Sequence, residues 1–227
     1  MTDLSIFQDS EMPALPEQNK ALAQIITSGD FFPRIQLMTS NSKECKSGRF
    51  PINHYALVNG KDFTDCGEQV DVAILTMRLK ALDTSADQPI SIFNPEVDEH
   101  ENPIGEFKRI MDESKGKDSG CMFGPEVLIY IPEQKKYATF FMGTKSARRE
   151  SPNLIALLRK GATLMSQHIE TKQFAWYAPK IQPCQTELVL PDVDEVLERI
   201  KKFEAEESTK LGEVVSDDET KQQERAR

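Results

Sequence analysis

Between Lys135 and Lys180 the sequence gathers the residue types that hold a nucleic-acid strand. Nine basic residues stand there against two acids, Glu150 and Glu170, in a chain whose formal net charge is −9. Six of its seventeen aromatic residues, including the only Trp, fall in the same stretch. Cations neutralise phosphates, and flat rings stack on bases of any identity. On strand-like segments this composition points to a single-strand groove. Lys135, Lys136, Lys145, Arg148, Arg149, Lys172 and Lys180 are the candidate phosphate contacts. Tyr137, Phe141, Trp176 and Tyr177 are the candidate stacking rings. Trp176 and Tyr177 are neighbours, so on a strand they point to opposite faces. Only one can lie in a groove, and the other is then core; chemistry favours Trp176 in the groove. The competing reading packs the rings into a core and leaves the cations as a solvated face.

Catalytic patterns are thin by comparison. A metal-dependent nuclease needs clustered carboxylates to hold the ion and a lysine beside the attacking water. Glu170-Thr171-Lys172, taken with Glu126, resembles the PD-(D/E)xK pattern with Glu in place of Asp, and Glu219-Thr220-Lys221 repeats the triplet. There is no GxxxxGK[ST] loop, no GxGxxG and no GxSxG elbow. The histidines, His54, His100 and His168, are scattered. The four cysteines, Cys45, Cys66, Cys121 and Cys184, form no CxxC pair and read as free thiols. A zinc site from Cys45, His54 and Cys66 would match no finger spacing. The chain is therefore read as a noncatalytic binder without cofactor or metal. Two alternatives are a protein-interaction or virion-associated module, whose basic hairpin docks an acidic partner, and a metal-dependent nuclease using Glu126, Glu170 and Lys172.

Length and composition set bounds. A chain of 227 residues, 38% hydrophobic and 29% charged, fits one domain with extensions. No apolar run is long enough for a membrane span, and the N-terminus lacks a signal layout, so the protein is read as cytoplasmic. A pI near 5.0 argues against indiscriminate coating of duplex DNA, while a locally positive face still attracts phosphate.

The elements that would position these residues are mainly strands. Residues 1–30 read as a loose arm followed by a short amphipathic helix over Glu17–Thr27. Alternation predicts a strand through Arg34–Leu37, a second over His54–Val58 entering an Asn59-Gly60 hairpin turn, and a long one from Gln69 to Leu82. A strand that long calls for a bulge. Residues 83–118 hold ten acids and four bases and read as an acidic insertion, with a short strand at Ile90–Phe93 and a short helix at Ile104–Met111. The run VLIYI predicts a strand buried on both faces, paired through a hairpin with Tyr137–Met142. A helix enters at Ser151-Pro152 and stops at Gly161. Met165–Thr171 and Phe174–Ile181 read as a strand pair. Residues 191–206 form a C-terminal helix with the apolar stripe Val193, Val196, Leu197, Ile200 and Phe203. Residues 207–227 are too polar to pack and read as a disordered tail. Short strands, Gly and Pro turns and one interrupting helix give a mainly β fold over 31–190, an OB-like small barrel with the acidic insertion and the C-terminal helix appended.

The segments FFPRIQL, VDVAILTMRLKALD, EVLIYIPEQKKYATFFMGTKSAR, SPNLIALLRKG and FAWYAPKI resemble, in layout and residue character, the OB-fold single-stranded-DNA-binding proteins of tailed phages. The resemblance covers about residues 31–185. It implies binding of single-stranded DNA during replication or recombination, in the host cytoplasm. It also implies an acidic C-terminal tail that recruits replication or recombination proteins; residues 204–218 fit by charge, although the chain ends in Arg225-Ala226-Arg227.

Overall fold

The computed structural model describes residues 32–85, 89–116, 119–171 and 175–206, which contain nine strands and five helices. The expected N-terminal helix, the tail beyond 206 and Lys172 lie outside the described residues. In chain order the elements begin with β1 (Arg34–Leu37), α1 (Lys43–Lys46), β2 (Tyr55–Asn59), β3 (Asp62–Asp65) and β4 (Gln69–Asp83). Then come β5 (Ile90–Phe93), α2 (Gly105–Glu113), β6 (Cys121–Ile131) and β7 (Lys136–Phe141). They end with α3 (Lys145–Arg148), α4 (Ser151–Ala156), β8 (Gly161–Glu170), β9 (Ala175–Pro183) and α5 (Val193–Ala205).

The fold is mainly β, and its strands form one mixed sheet in the order β3-β2-β1-β7-β6-β4-β8-β9, with β5 added beside β4. The pair β1–β7 is parallel and the rest are antiparallel. The sheet does not close into the barrel expected from the sequence. It curls instead: the Tyr55 hydroxyl of β2 donates to the Met165 carbonyl of β8 at 2.8 Å, and Ser166 meets Asn53. Side chains, not a backbone ladder, bridge the gap. Ile35, Tyr55, Leu57, Val70, Val72, Ile74, Val127, Ile129, Phe140 and Leu164 fill the space inside the curl, with Leu154 and Leu157 from and just after α4.

The long strand β4 carries the bulge its length demands. The register against β6 slips between Ile74 and Thr76, which sets Leu75 outside the pairing. Because side chains alternate with a period of two, one extra residue exchanges the faces. Val70, Val72 and Ile74 point inward before it; Thr76, Arg78 and Lys80 point outward after it. This parity switch places two cations on the outer face of the sheet, against α5.

There Arg78 is buried, 5% exposed, and holds the last turn of α5. Its Nη1 donates to the Phe203 carbonyl at 2.6 Å, where a helix end leaves carbonyls unpaired and favours a cation. Nε and Nη2 reach Glu126 at 2.8 and 2.6 Å, and Nη2 also reaches Glu206 at 2.6 Å. Lys80 takes the other Glu126 oxygen at 2.7 Å. The guanidinium lies 3.5 Å from the Phe93 ring centroid and 4.0 Å from that of Phe203. Phe203 is fully buried, which contributes roughly 1.5–3 kcal/mol by area. The double-sided burial of Val127–Ile131 follows, with the core on one side and α5 covering the other.

The described part of the acidic block, residues 83–85 and 89–116, is built onto the far end of β4 and β6. Phe107 and Ile110 of α2 pack on Ala81 and Cys121. Asp83 accepts from the Ser85 hydroxyl and amide at 2.5 and 2.9 Å and from Arg109 at 2.8 Å. These contacts, those to Ser85 first, hold its carboxyl well below the usual carboxylate range. The expected short strand and short helix are both present. The helix expected to run to Gly161 stops at Ala156, and β8 starts at Gly161 because Ala162 and Leu164 pair with Val72 and Val70.

Candidate nucleic-acid interface

The described residues singled out between Lys135 and Lys180 do not converge on one trough. Lys135 and Lys136 are exposed at the β6–β7 turn, and Lys145 and Arg149 are exposed on and beside α3. Arg148 is committed to structure. Its Nη1 donates to the carbonyls of Phe123 and Gly143, and its guanidinium lies 4.1 Å from the Phe123 ring centroid. Tyr137 is covered by α5, with the Tyr130 ring at 5.0 Å and the Arg199 guanidinium at 5.6 Å. Burial and the nearby Glu195 push its phenol up to about 12. Phe140 is core, while Phe141 is half-buried on the outer face with Lys80 Nζ 5.3 Å from its centroid.

Trp176 and Tyr177 behave differently from the expected pair of one groove ring and one core ring. Strand β8 pairs with β4 only as far as Met165, so Ser166–Glu170 and Ala175–Pro179 stand beyond the sheet as a two-stranded ribbon. Both rings are half-exposed there, on opposite faces, and neither is core. Lys180 shares the Trp176 face by register, while Tyr177 meets the His168 ring at 5.1 Å. Glu170 is exposed at the end of β8, whereas Glu126 is 2% exposed with both oxygens engaged by Arg78 and Lys80. Glu126 is thus half of a structural ion pair.

A different set does converge, and no sequence pattern singled it out. On the outer face of β1–β3 a pocket of about 790 Å³ is lined by Arg34, Lys43, Arg49 and Lys61, with the rings of Phe50 and Phe63 and a single acid, Glu44. Its construction follows from the hairpin. Gly60 adopts φ 59° at the β2–β3 turn, which brings Phe63 opposite Val58 and Val58 opposite Arg34 in one row. Helix α1 and the residues after it then fold over this row, with Gly48 at φ 70°. Phe50 and Phe63 lie 6.4 Å apart at 58°, their inner edges against Met38, Ala56 and Val58. The four cations are exposed and make no ion pair among the described residues. The sequence signal is divided: Lys43 falls in the short helix α1 and Arg49 just after it, and Phe50 and Phe63 meet only through tertiary pairing.

Metal-binding geometry is weaker. Asp83, Glu113 and Cys121 present ligand atoms within 4.8 Å of one another, but Arg109 already bonds both carboxylates and supplies the positive charge. The thiols are free; those of Cys45 and Cys66 face backbone carbonyls of Pro51 and Thr64, and His54 bonds Asp65 at 2.9 Å, so the three form no zinc site. Among the described residues no helix is long and apolar enough to cross a membrane. Comparison with protein families, curated proteins and solved structures gave no match to this chain.

Proposed function

We propose that the protein binds single-stranded nucleic acid, DNA in the first instance, without catalysis, and that the pocket on β1–β3 anchors the strand. The observation that carries this is the set Arg34, Lys43, Arg49 and Lys61 around Phe50 and Phe63, exposed cations that make no ion pair among the described residues, in a chain of net charge −9. Four cations against the single acid Glu44 leave a net positive field for an anion, and the half-buried rings offer a face for a base. A concave pocket admits a flexible strand more readily than a rigid duplex. Exposed Lys135, Lys136, Lys145, Arg149 and Lys180, with the half-exposed Trp176 on its ribbon, are further contacts along such a strand. The curl of the sheet and the helices α3 and α4 between β7 and β8 support an OB-like reading, and a role in replication or recombination is what the resemblance of the sequence to phage single-stranded-DNA-binding proteins implies.

The test is fluorescence anisotropy with labelled oligo-dT, oligo-rU and a duplex of equal length, across a salt series. Single strands bind more tightly than the duplex, and affinity falls with salt. Equal binding to duplex, or binding unaffected by replacing Lys43, Arg49 and Lys61 with Ala, overturns the proposal.

A further inference from the structure

Between α5 and the sheet runs a second groove, of about 960 Å³, whose walls are mostly apolar. Leu157, Leu188, Leu190, Val196, Leu197 and Ile200 line it. The apolar surface continues past the groove: Val193 is 70% exposed and Leu197 47% exposed on α5, and Val189 and Leu190 precede them. This is the stripe that the sequence assigns to packing, yet only its Phe203 end is buried against Arg78. At one end the groove turns basic. Lys201 lies on the helix wall and Arg159 and Lys160 on the opposite wall. Both walls meet near the bulge, since the Lys160 carbonyl accepts from Ile74 and Thr76 donates to Glu204. Glu204 is the single acid in the lining, and its carboxylate is engaged by that threonine. The three cations are exposed and make no ion pair among the described residues.

We propose that this groove docks a partner protein through an amphipathic segment with an apolar face and acidic residues at one end. The apolar face covers Leu190, Val193, Leu197 and Ile200, and the acids meet Arg159, Lys160 and Lys201. Charge complementarity fixes the sign of the partner at that end. The shape favours a peptide over an anionic amphiphile. Leu190 and Leu197 of its lining are exposed to solvent, so a bare hydrocarbon chain seated on them would leave one side in water. An amphipathic peptide presents a polar back to solvent, the geometry of helix-in-groove recognition. The proposal is independent of nucleic-acid binding, whose pocket lies on β1–β3.

Selection of a random peptide library on the full-length protein tests this without presupposing a sequence. The double variant Val193→Asp/Leu197→Asp, at exposed positions, serves as counter-target after its circular dichroism melt is matched to the parent. The expected outcome is enrichment of peptides with spaced apolar residues and terminal Asp or Glu, binding at least tenfold more weakly to the double variant. Lys201→Glu weakens the same peptides, and replacing their acids with Lys restores binding to it. The proposal is overturned if no peptide distinguishes parent from double variant, or if the enriched peptides are basic. It is also overturned if only dodecanoate competes with parent-specific binding, or if sedimentation shows a dimer of the chain itself that the double variant dissolves.

Discussion

Two clusters of cations and rings sit on the outer face of the same sheet, and only one is open. Around Arg78 and Lys80 the rings are Phe93 and Phe203, and the charges meet Glu126 and Glu206 under α5. Around Arg34, Lys43, Arg49 and Lys61 the rings are Phe50 and Phe63, and one acid shares the pocket. Both set cations around a pair of Phe rings, two cations in the first and four in the second. Acids supplied from distant sequence and a covering helix separate a structural clamp from a surface that can take an anion. A guanidinium between two rings is therefore no sign of a ligand site until its counter-ions are counted.

The largest effect is expected at the clamp. Arg78→Met leaves Glu126 buried with Lys80 as its remaining cation, and such losses cost about 3–5 kcal/mol. Chemical denaturation measures it, and a loss below about 1 kcal/mol would mean that α5 docks by its apolar contacts alone. Phe203→Ala removes the fully buried ring of the same clamp and is expected to cost about 3–5 kcal/mol. In both variants oligo-dT affinity, measured where the protein is folded, stays at the parent value.

The pocket should show the opposite profile. Lys43→Ala/Arg49→Ala/Lys61→Ala is expected to keep stability within about 0.5 kcal/mol per site, because all three side chains are exposed. It should lower oligo-dT affinity at least tenfold and flatten the salt dependence, by about 0.7 in log–log slope for each phosphate that is no longer neutralised. A destabilised variant with unchanged affinity would exchange the two assignments. Trp176→Ala sharpens the outcome on the ribbon: a loss of about 1–3 kcal/mol in binding marks a stacked base, and no change confines binding to the pocket.

The smallest effect concerns the acidic block. The Asp83 carboxyl is held below its unfolded value of about 3.9, so its contribution is full above that value and is lost as pH falls toward the folded one. Asp83→Asn should therefore remove part of the stability slope below about pH 4 and leave oligo-dT binding at neutral pH unchanged.

Local pattern made much of the framework legible. Alternation located β1, β2 and β4, and the length of β4 implied its bulge. The VLIYI run announced a strand covered on both sides. Helix α2 and strand β5 emerged from an acidic block whose charge alone suggests a loop, because Phe107 and Ile110 recur at helical spacing and bury against Ala81. The site was less legible. Between Lys135 and Lys180 the right residue types occur, but strand parity, the cover of α5 and the carbonyl contacts of Arg148 send them to separate places.

The sequence by itself determined where most of the strands and the longer helices form and how charge is distributed along the chain, because period and propensity act over a few neighbouring residues. Tertiary structure alone decided which cations are neutralised, since Arg78 finds Glu126 and Glu206 across 48 and 128 residues of chain. It also decided that Arg34 shares a pocket with Lys61, and that the sheet curls without closing. Electrostatic pairing acts through space, and the path that brings two charges together is set by the whole sheet.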